Sequence, residues 1–181
     1  MNLWLRLLWL LLTARFRPRL APPFAVSRLR FRVLPNDLDV NAHMNNGRYF
    51  TIMDLGRLDL MLRTGLAATA RRMRWMPVLS AAKARFRREL RPFQAYRLET
   101  RILWWSDTQF VMEHRFIAAS PAGGETAHCV ALLLGGLYAR AERRFVPVER
   151  LFASMGVADA SPPATPEVEA FLAAERALKR A

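Results

Sequence analysis

One stretch restricts the fold more than any other. From Tyr49 to Leu62, apolar residues stand at 49, 50, 52, 53, 55, 58, 60, 61 and 62. At 3.6 residues per turn they cover most of a helix circumference instead of one stripe, and a helix apolar nearly all round is buried nearly all round. The spacing predicts one central helix, ending near Gly65, that the rest of the chain must enclose.

The flanking sequence supplies strands for that purpose. Leu29, Phe31 and Val33 alternate with Arg28, Arg30 and Arg32, the period of two of a half-buried strand. After the helix, Ala84 and Phe86 alternate with Lys83, Arg85 and Arg87, and Tyr96, Leu98, Thr100 and Ile102 alternate with Arg97, Glu99 and Arg101. Phe110, Met112, His114 and Phe116 make the next run, and Thr126 to Leu134 the last long one. Turn chemistry separates them at Arg91-Pro92, Ser106-Asp107 and Ser120-Pro121-Ala122-Gly123-Gly124. Val130–Leu134 is almost continuously apolar and suits a central strand covered on both faces. One strand, one buried helix and four or five antiparallel strands make an α+β order, and 181 residues suffice for one domain with a well-developed core. The expected division is an apolar and basic segment with a linker over 1–23, the domain over 24–157, and a linker with a short amphipathic helix over 158–181. In that last helix Pro166 takes the first position, and Val168, Phe171, Leu172 and Leu178 line one side.

The N-terminal segment reads as separate from the fold. Leu3–Leu12 is apolar except for Arg6, carries Trp4 and Trp9, and is followed by Arg15, Arg17 and Arg19. Ten helical residues reach ~15 Å, half of a ~30 Å hydrocarbon core, so a simple span is not expected. The charges follow the apolar run, the reverse of a secretory signal. The preferred reading is an interfacial helix with tryptophans at headgroup depth and arginines on anionic phosphate. A helix packed on its own domain or on a partner subunit, and a cleaved signal, are the alternatives. Pro18, Pro22 and Pro23 mark a linker. The expected location is cytoplasmic, with peripheral membrane association through residues 3–16.

Most familiar chemistry is missing: the chain has no G-x-S-x-G elbow, no P-loop and no G-x-G-x-x-G. His43, His114, His128 and Cys129 lack metal-ligand spacing, so neither a metal nor a bound cofactor is expected. His128 and Cys129, adjacent on a strand, are expected on opposite faces. The single cysteine excludes an internal disulfide framework. What remains is the polar run from Asp37 to Tyr49, between a strand and the start of the buried helix. A helix start has backbone N–H groups without intrahelical partners and the positive end of the dipole. Such groups near Asn45, Asn46 and Gly47 suit a carbonyl oxygen that becomes negative during attack, with a loop carboxylate close by. Ordinary capping by Asn45 or Asn46 accounts for the same residues.

The stretch Asp39-Val40-Asn41-Ala42-His43-Met44-Asn45-Asn46-Gly47-Arg48-Tyr49 resembles the D-x-N-x-H-[VM]-N-N-x-x-Y motif of hotdog thioesterases of the 4-hydroxybenzoyl-CoA and acyl-ACP type. The similarity continues through Thr51–Arg57, Trp75–Val78 and Arg85–Arg88, where the chain looks like the thioesterase superfamily member 6 group, and spans roughly residues 27–150. The resemblance implies a hotdog fold, an antiparallel sheet wrapped around one long helix, assembled as a homodimer or a dimer of dimers. It implies Asp39 as the catalytic carboxylate, with Asn41 and His43 orienting it and the attacking water. The Asn46 N–H is implied as oxyanion donor, with Asn45 and Gly47 beside it at the substrate, and Asp37 as a structural acid. Plant acyl-ACP enzymes place a glutamate on the strand after the helix. Here Arg85 stands there, so activation of water by a second carboxylate is not carried over.

Charge bears on the partner. Twenty-eight basic residues against fifteen acidic leave +13, and only Lys83 and Lys179 are lysines. Between 71 and 91, Arg71, Arg72, Arg74, Lys83, Arg85, Arg87, Arg88 and Arg91 are opposed by Glu89 alone. Phosphates of coenzyme A or a phosphopantetheine arm, the acidic surface of a carrier protein, an anionic bilayer, or solvent on a charged strand face each account for them. Arg85, Arg87 and Arg88 are the candidate phosphate ligands. Basic residues alternating along strands, without a stacking platform or a groove-reading helix, argue against nucleic acid. The expected activity is hydrolysis of acyl-CoA or acyl-carrier thioesters. The alternative is a non-catalytic acyl- or lipid-binding protein at a membrane surface.

Overall fold

The computed structural model describes residues 2–120 and 123–179; Pro121 and Ala122, in the middle of the expected Ser120–Gly124 turn, lie outside the described residues. The elements in chain order are α1 (Asn2–Ala14), β1 (Ser27–Arg32), a 3-10 turn (Pro35–Asp37), α2 (Asn46–Thr64), α3 (Leu66–Met73), β2 (Trp75–Phe86), β3 (Ala95–Ser106), β4 (Gln109–Ala119), β5 (Glu125–Ala139), β6 (Arg144–Phe145), α4 (Val148–Ala153) and α5 (Pro166–Leu178). The strands form one antiparallel sheet ordered β1-β3-β4-β5-β2, with β6 on the free end of β5. The α+β order and the hotdog arrangement of one long helix on an antiparallel sheet are those expected.

α2 starts at Asn45, whose side chain caps it, and ends at Gly65, where φ of 84° gives the left-handed turn that glycine adopts without strain. Tyr49, Ile52, Met53 and Leu55 bury against Leu98, Phe116, Ala131 and Leu133 of the sheet. Enclosure is less complete than the apolar spacing predicts: Phe50 is exposed to 36% and Asp54 is exposed, because sheet and α1 leave one flank of the helix open. Contact is tightest at Gly56, where a Cβ would collide with Thr100 Oγ1 and come within 2.8 Å of Leu98 Cδ2.

Two helices interrupt what the sequence presents as strands alone. α3 follows Gly65 at once and buries only Leu66, Thr69 and Ala70, a stripe too short to stand out beside Arg71 and Arg72. α4 buries Val148, Leu151 and Phe152 over Trp75 and Trp105. α5 lays Val168 and Phe171 on Val111 and Leu134, so the sheet is covered on its second face there. β2 is an outer strand, and most of its residues are exposed, Leu79 to 46%.

The N-terminal helix is not set apart from the fold. Leu10 of α1 is fully buried, and Leu3 and Leu7 pack on the same core. Its Arg6 lies over the Phe31 ring. Behind it, Arg17 reaches the buried Asp59 of α2 at 2.6 Å, where Ser27 Oγ also donates at 2.6 Å.

His128 and Cys129 depart from the expected alternation as well. Phe116 pairs with Cys129 and Ile117 with Ala127, so His128 is the extra residue of a β-bulge and both side chains go inward.

Candidate functional site

Asp37 is the anchor of the acid loop. Its carboxylate is fully buried and accepts from Arg6 at 2.6 Å, from Arg48 of α2 at 3.1 Å and from the Leu34 N–H at 3.0 Å. Its carbonyl accepts the Asn45 N–H at 2.9 Å. One side chain thus joins α1, the end of β1 and the first turn of α2. Between these fixed points residues 38–44 close on themselves. Leu38 and Met44 bridge, the Asp39 N–H donates to His43 O at 3.0 Å, the Ala42 N–H donates to Asp39 O at 3.1 Å, and Ala42 takes a positive φ of 57°.

Asp39 sits at the mouth of this small loop, with 19% of its side chain accessible. Its Oδ1 accepts the Asn41 N–H at 2.9 Å, and His43 Nδ1 lies 3.4 Å from Oδ2. The Asn41 side chain is exposed.

The opposite wall is residues 86–90, and the His128 bulge holds it. His128 O accepts the Arg87 and Arg88 N–H groups at 2.8 and 3.2 Å, and its Nδ1 donates to Glu89 O at 2.8 Å. The Met44 N–H donates to Leu90 O at 2.9 Å and joins the two walls. Between them lies an open hollow of about 240 Å³ lined by His43, Met44, Asn46, Tyr49, Phe86 and the Arg87–Glu89 turn. Tyr49 packs edge-on against Phe86 and Phe116, and burial pushes its hydroxyl pKa up. Cys129, behind the tyrosine, is pushed up to about 12 by burial and stays a thiol.

The expected site residues divide on this geometry. His43 and Asn46 line the hollow, and Asp39 reaches it through His43. The three helix-start amides are not equivalent. The Asn45 N–H is taken by Asp37 O, and the Gly47 N–H by the Asn45 side chain at 2.8 Å, so capping and the free amide coexist. Among the described residues, only Asn46 of these three has an N–H with no acceptor. Arg87 and Arg88 flank the hollow, but Arg85 does not. Ala84 and Phe86 pair with the core residues Ala131 and Cys129, so alternation turns Arg85 to the other face of β2. Tyr49 and Phe86 had no role in the sequence reading; the motif's final tyrosine and the apolar end of β2 were the signal for them.

A second space lies at the far end of α2, roughly 25 Å along the helix at 1.5 Å per residue. It is an apolar cavity of about 170 Å³ among Met61, Leu66, Val78, Ile102, Leu137 and Phe152. Arg57 is at its edge, with its pKa lowered by burial, and pairs with Asp54. His114 is close to this charge, fully buried, with Nδ1 2.9 Å from Thr100 Oγ1 and Nε2 unpartnered. No group of His, Cys, Asp and Glu among the described residues is arranged to hold a metal ion.

Comparison with known proteins gives one consistent result. Protein THEM6 of Danio rerio is 35% identical over 116 residues, covering 64% of this chain and 57% of that protein. The chain spans about half the length of the curated relatives it matches. Among solved structures, the probable thioesterase YbaW of Escherichia coli superposes with a TM-score of 0.64 at 16% identity, covering 71% of this chain and 95% of that one. The 4-hydroxybenzoyl CoA thioesterase of Pseudomonas sp. strain CBS-3 does so with 0.62 at 17% identity, covering 71% and 98%. At such identities the structures establish the shared hotdog fold. The model of the thioesterase-like superfamily matches residues 33–172, most of the chain and the whole of both walls of the hollow, and the chain belongs to that superfamily.

Proposed function

We propose that the protein hydrolyses acyl thioesters, of coenzyme A or of a phosphopantetheine carrier, at the hollow between the acid loop and the 86–90 turn. The observation that carries the reading is the unengaged Asn46 N–H at the positive end of α2, in a hollow also lined by His43, which contacts the partly accessible Asp39 carboxylate at 3.4 Å. The thioester carbonyl rests on that amide. Asp39 takes a proton from a water that attacks the carbonyl carbon, and the oxyanion forms on the Asn46 N–H. Collapse expels the thiolate, which takes up the proton, and leaves the free acid. Direct attack by Asp39, with water cleaving the resulting anhydride, gives the same products. Asn41 fixes Asp39 through its amide, and His43 orients the water. Asn45 and Gly47 serve the helix cap, and Arg87 and Arg88 meet the phosphates of the thiol carrier.

The acyl chain needs an apolar place, and the hollow offers only Tyr49, Phe86 and Met44. A homodimer supplies it. β2 is a twelve-residue strand with one edge unpaired, a template for a second chain. Two such edges paired antiparallel set Phe86 of one copy near Trp75 of the other, and so bring the partner's apolar cavity toward the hollow. A further pairing of dimers is compatible with the open α2 flank at Phe50. None of the described helices is long and apolar enough to cross a membrane. Peripheral attachment through residues 3–16, at the cytoplasmic face, remains our reading of the exposed Trp4, Leu5, Leu8 and Phe16.

Thiol release from a panel of acyl-CoA and acyl-carrier thioesters tests the activity. Asp39→Asn should lower kcat by about 10²-fold or more with an unchanged melting temperature. If the wild type releases no thiol yet retains labelled acyl chains, and Asp39→Asn binds them equally, the non-catalytic alternative replaces this reading.

A further inference from the structure

α1 lies outside the stretch matched by the family model and has two faces of different kinds. The inner face is Leu3, Arg6, Leu7 and Leu10, spaced i, i+3, i+4 and i+7, and it packs on the core. A surface helix ordinarily turns a polar face to water. Here the outer residues are Trp4, Leu5, Leu8, Trp9, Leu11 and Leu12, all exposed, Trp4 to 73%. Phe16 beyond the helix is exposed to 75%, with the Arg15 guanidinium 4.5 Å over its ring, and Arg19 is exposed beside them. Tryptophans among leucines with exposed arginines at one end match the interfacial zone of an anionic bilayer, and a thirteen-residue helix is too short to cross one. The same helix holds the acid loop. Arg6 is only 10% accessible and donates to Arg32 O at 2.9 Å and to Oδ2 of Asp37, two residues before Asp39, at 2.6 Å.

We propose that α1 is a clamp between an anionic bilayer and the acid loop: its outer face enters the lipid while Arg6, a positioning residue, holds Asp37 and thereby the geometry of residues 38–45. This rests on the Asp39 reading for its catalytic consequence, but the clamp itself is physical and can be observed without turnover. Lipid engaging the outer face holds α1 on the domain and restrains the loop through Arg6. Turnover is therefore highest at the membrane, where thioesters with long acyl chains accumulate.

The test uses the full chain with vesicles of phosphatidylcholine and phosphatidylglycerol in equal parts. Hydrogen exchange is read at the Asp39, Ala42, Met44 and Asn45 amides, each of which donates within the loop or to Leu90. Vesicles should slow their exchange several-fold in the wild type. Arg6→Met should still bind vesicles but exchange these amides about tenfold faster, as expected for loss of a hydrogen bond between charged groups, and vesicles should not restore protection. Added to Asp37→Asn, Arg6→Met should cost little further, since that variant already weakens the Arg6 contact together with the Arg48 one. Leu5→Ser, Leu8→Ser and Trp9→Ser together should abolish vesicle binding and leave the lipid-free exchange of the loop as in the wild type. On a water-soluble acyl-CoA, Arg6→Met should lower kcat and leave KM nearly unchanged, where simple destabilisation would alter neither below the melting transition. Loop exchange indifferent to vesicles in the wild type, or unchanged by Arg6→Met, overturns the clamp. So does a triple outer-face variant of lower mass by light scattering, which assigns that face to a second copy. If the wild type releases no thiol while its loop responds to lipid as described, the thioesterase reading fails and the clamp stands.

Discussion

At its first turn α2 meets a carboxylate, an imidazole, two arginines and one free amide around an open hollow. At its last turns it meets Met61, Leu66, Ile102, Leu137 and Phe152 around a mostly enclosed space. The first end can polarise a carbonyl but has little apolar surface. The far end can hold a hydrocarbon but offers no acid, base or free amide to act on it. Within one chain they are roughly 25 Å apart. On the proposed reading a single helix divides reaction from accommodation, and a second copy turning its far end toward the first copy's hollow would reunite them.

Three measurements sharpen or break this contrast. The largest effect concerns what the ends share. His114 lies beneath the middle of α2, and burial, with the Arg57 charge nearby, lowers its pKa to about 3 from 6.5. It stays neutral in the fold, while the unfolded chain takes up a proton below about pH 6.5. The unfolded state then binds more protons, so stability falls as pH falls from 6.5 toward 3 and is unaffected above that window. At pH 5 the loss is roughly 2 kcal/mol. Thermal melts of wild type and His114→Leu at pH 7 and pH 5 should show that difference in the wild type only. Hydrogen exchange that loosens at one end alone under acid would mean that the two ends open independently.

Next in size is the far cavity. Ile102→Phe should lower kcat/KM for long acyl chains by about tenfold and spare short ones, since lost apolar volume matters only to a chain that reaches it. Equal losses for both lengths, with melts unchanged, would remove the cavity from the acyl path. The smallest effect belongs to the arginines. Replacing Arg87 and Arg88 by alanine should raise KM for a CoA ester by up to about fivefold, the range for exposed ion pairs, while Arg85→Ala should not change it. A KM rise for Arg85→Ala alone would place the phosphates on the opposite face of β2.

Local patterns were legible and distant ones were not. α2 and its glycine end follow from residues near one another in sequence, as does the capping asparagine. The strand alternation that removes Arg85 from the hollow was also in plain view, since Ala84 and Phe86 alternate with it along β2. The division of labour among Asn45, Asn46 and Gly47 was hidden, because it depends on the Asp37 carbonyl closing over the helix start. Arg6 was hidden for a similar reason: one arginine in a leucine run fits a lipid interface and a buried ion pair equally well until Asp37 is seen beneath it. The His128 bulge arises from register between β4 and β5, which no short window contains. α3 escaped because three buried positions in eight residues make too faint a stripe.

Gly56 presses α2 so closely on Thr100 and Leu98 that helix and β3 have no room to slide past one another. A domain built this way cannot widen for a bulkier substrate by letting its helix ride up. If the acyl chain enters this cavity as proposed, its length limit is set by individual side chains at the wall, and exchanging Met61 or Leu137 should reset that limit in discrete steps while the frame stays put.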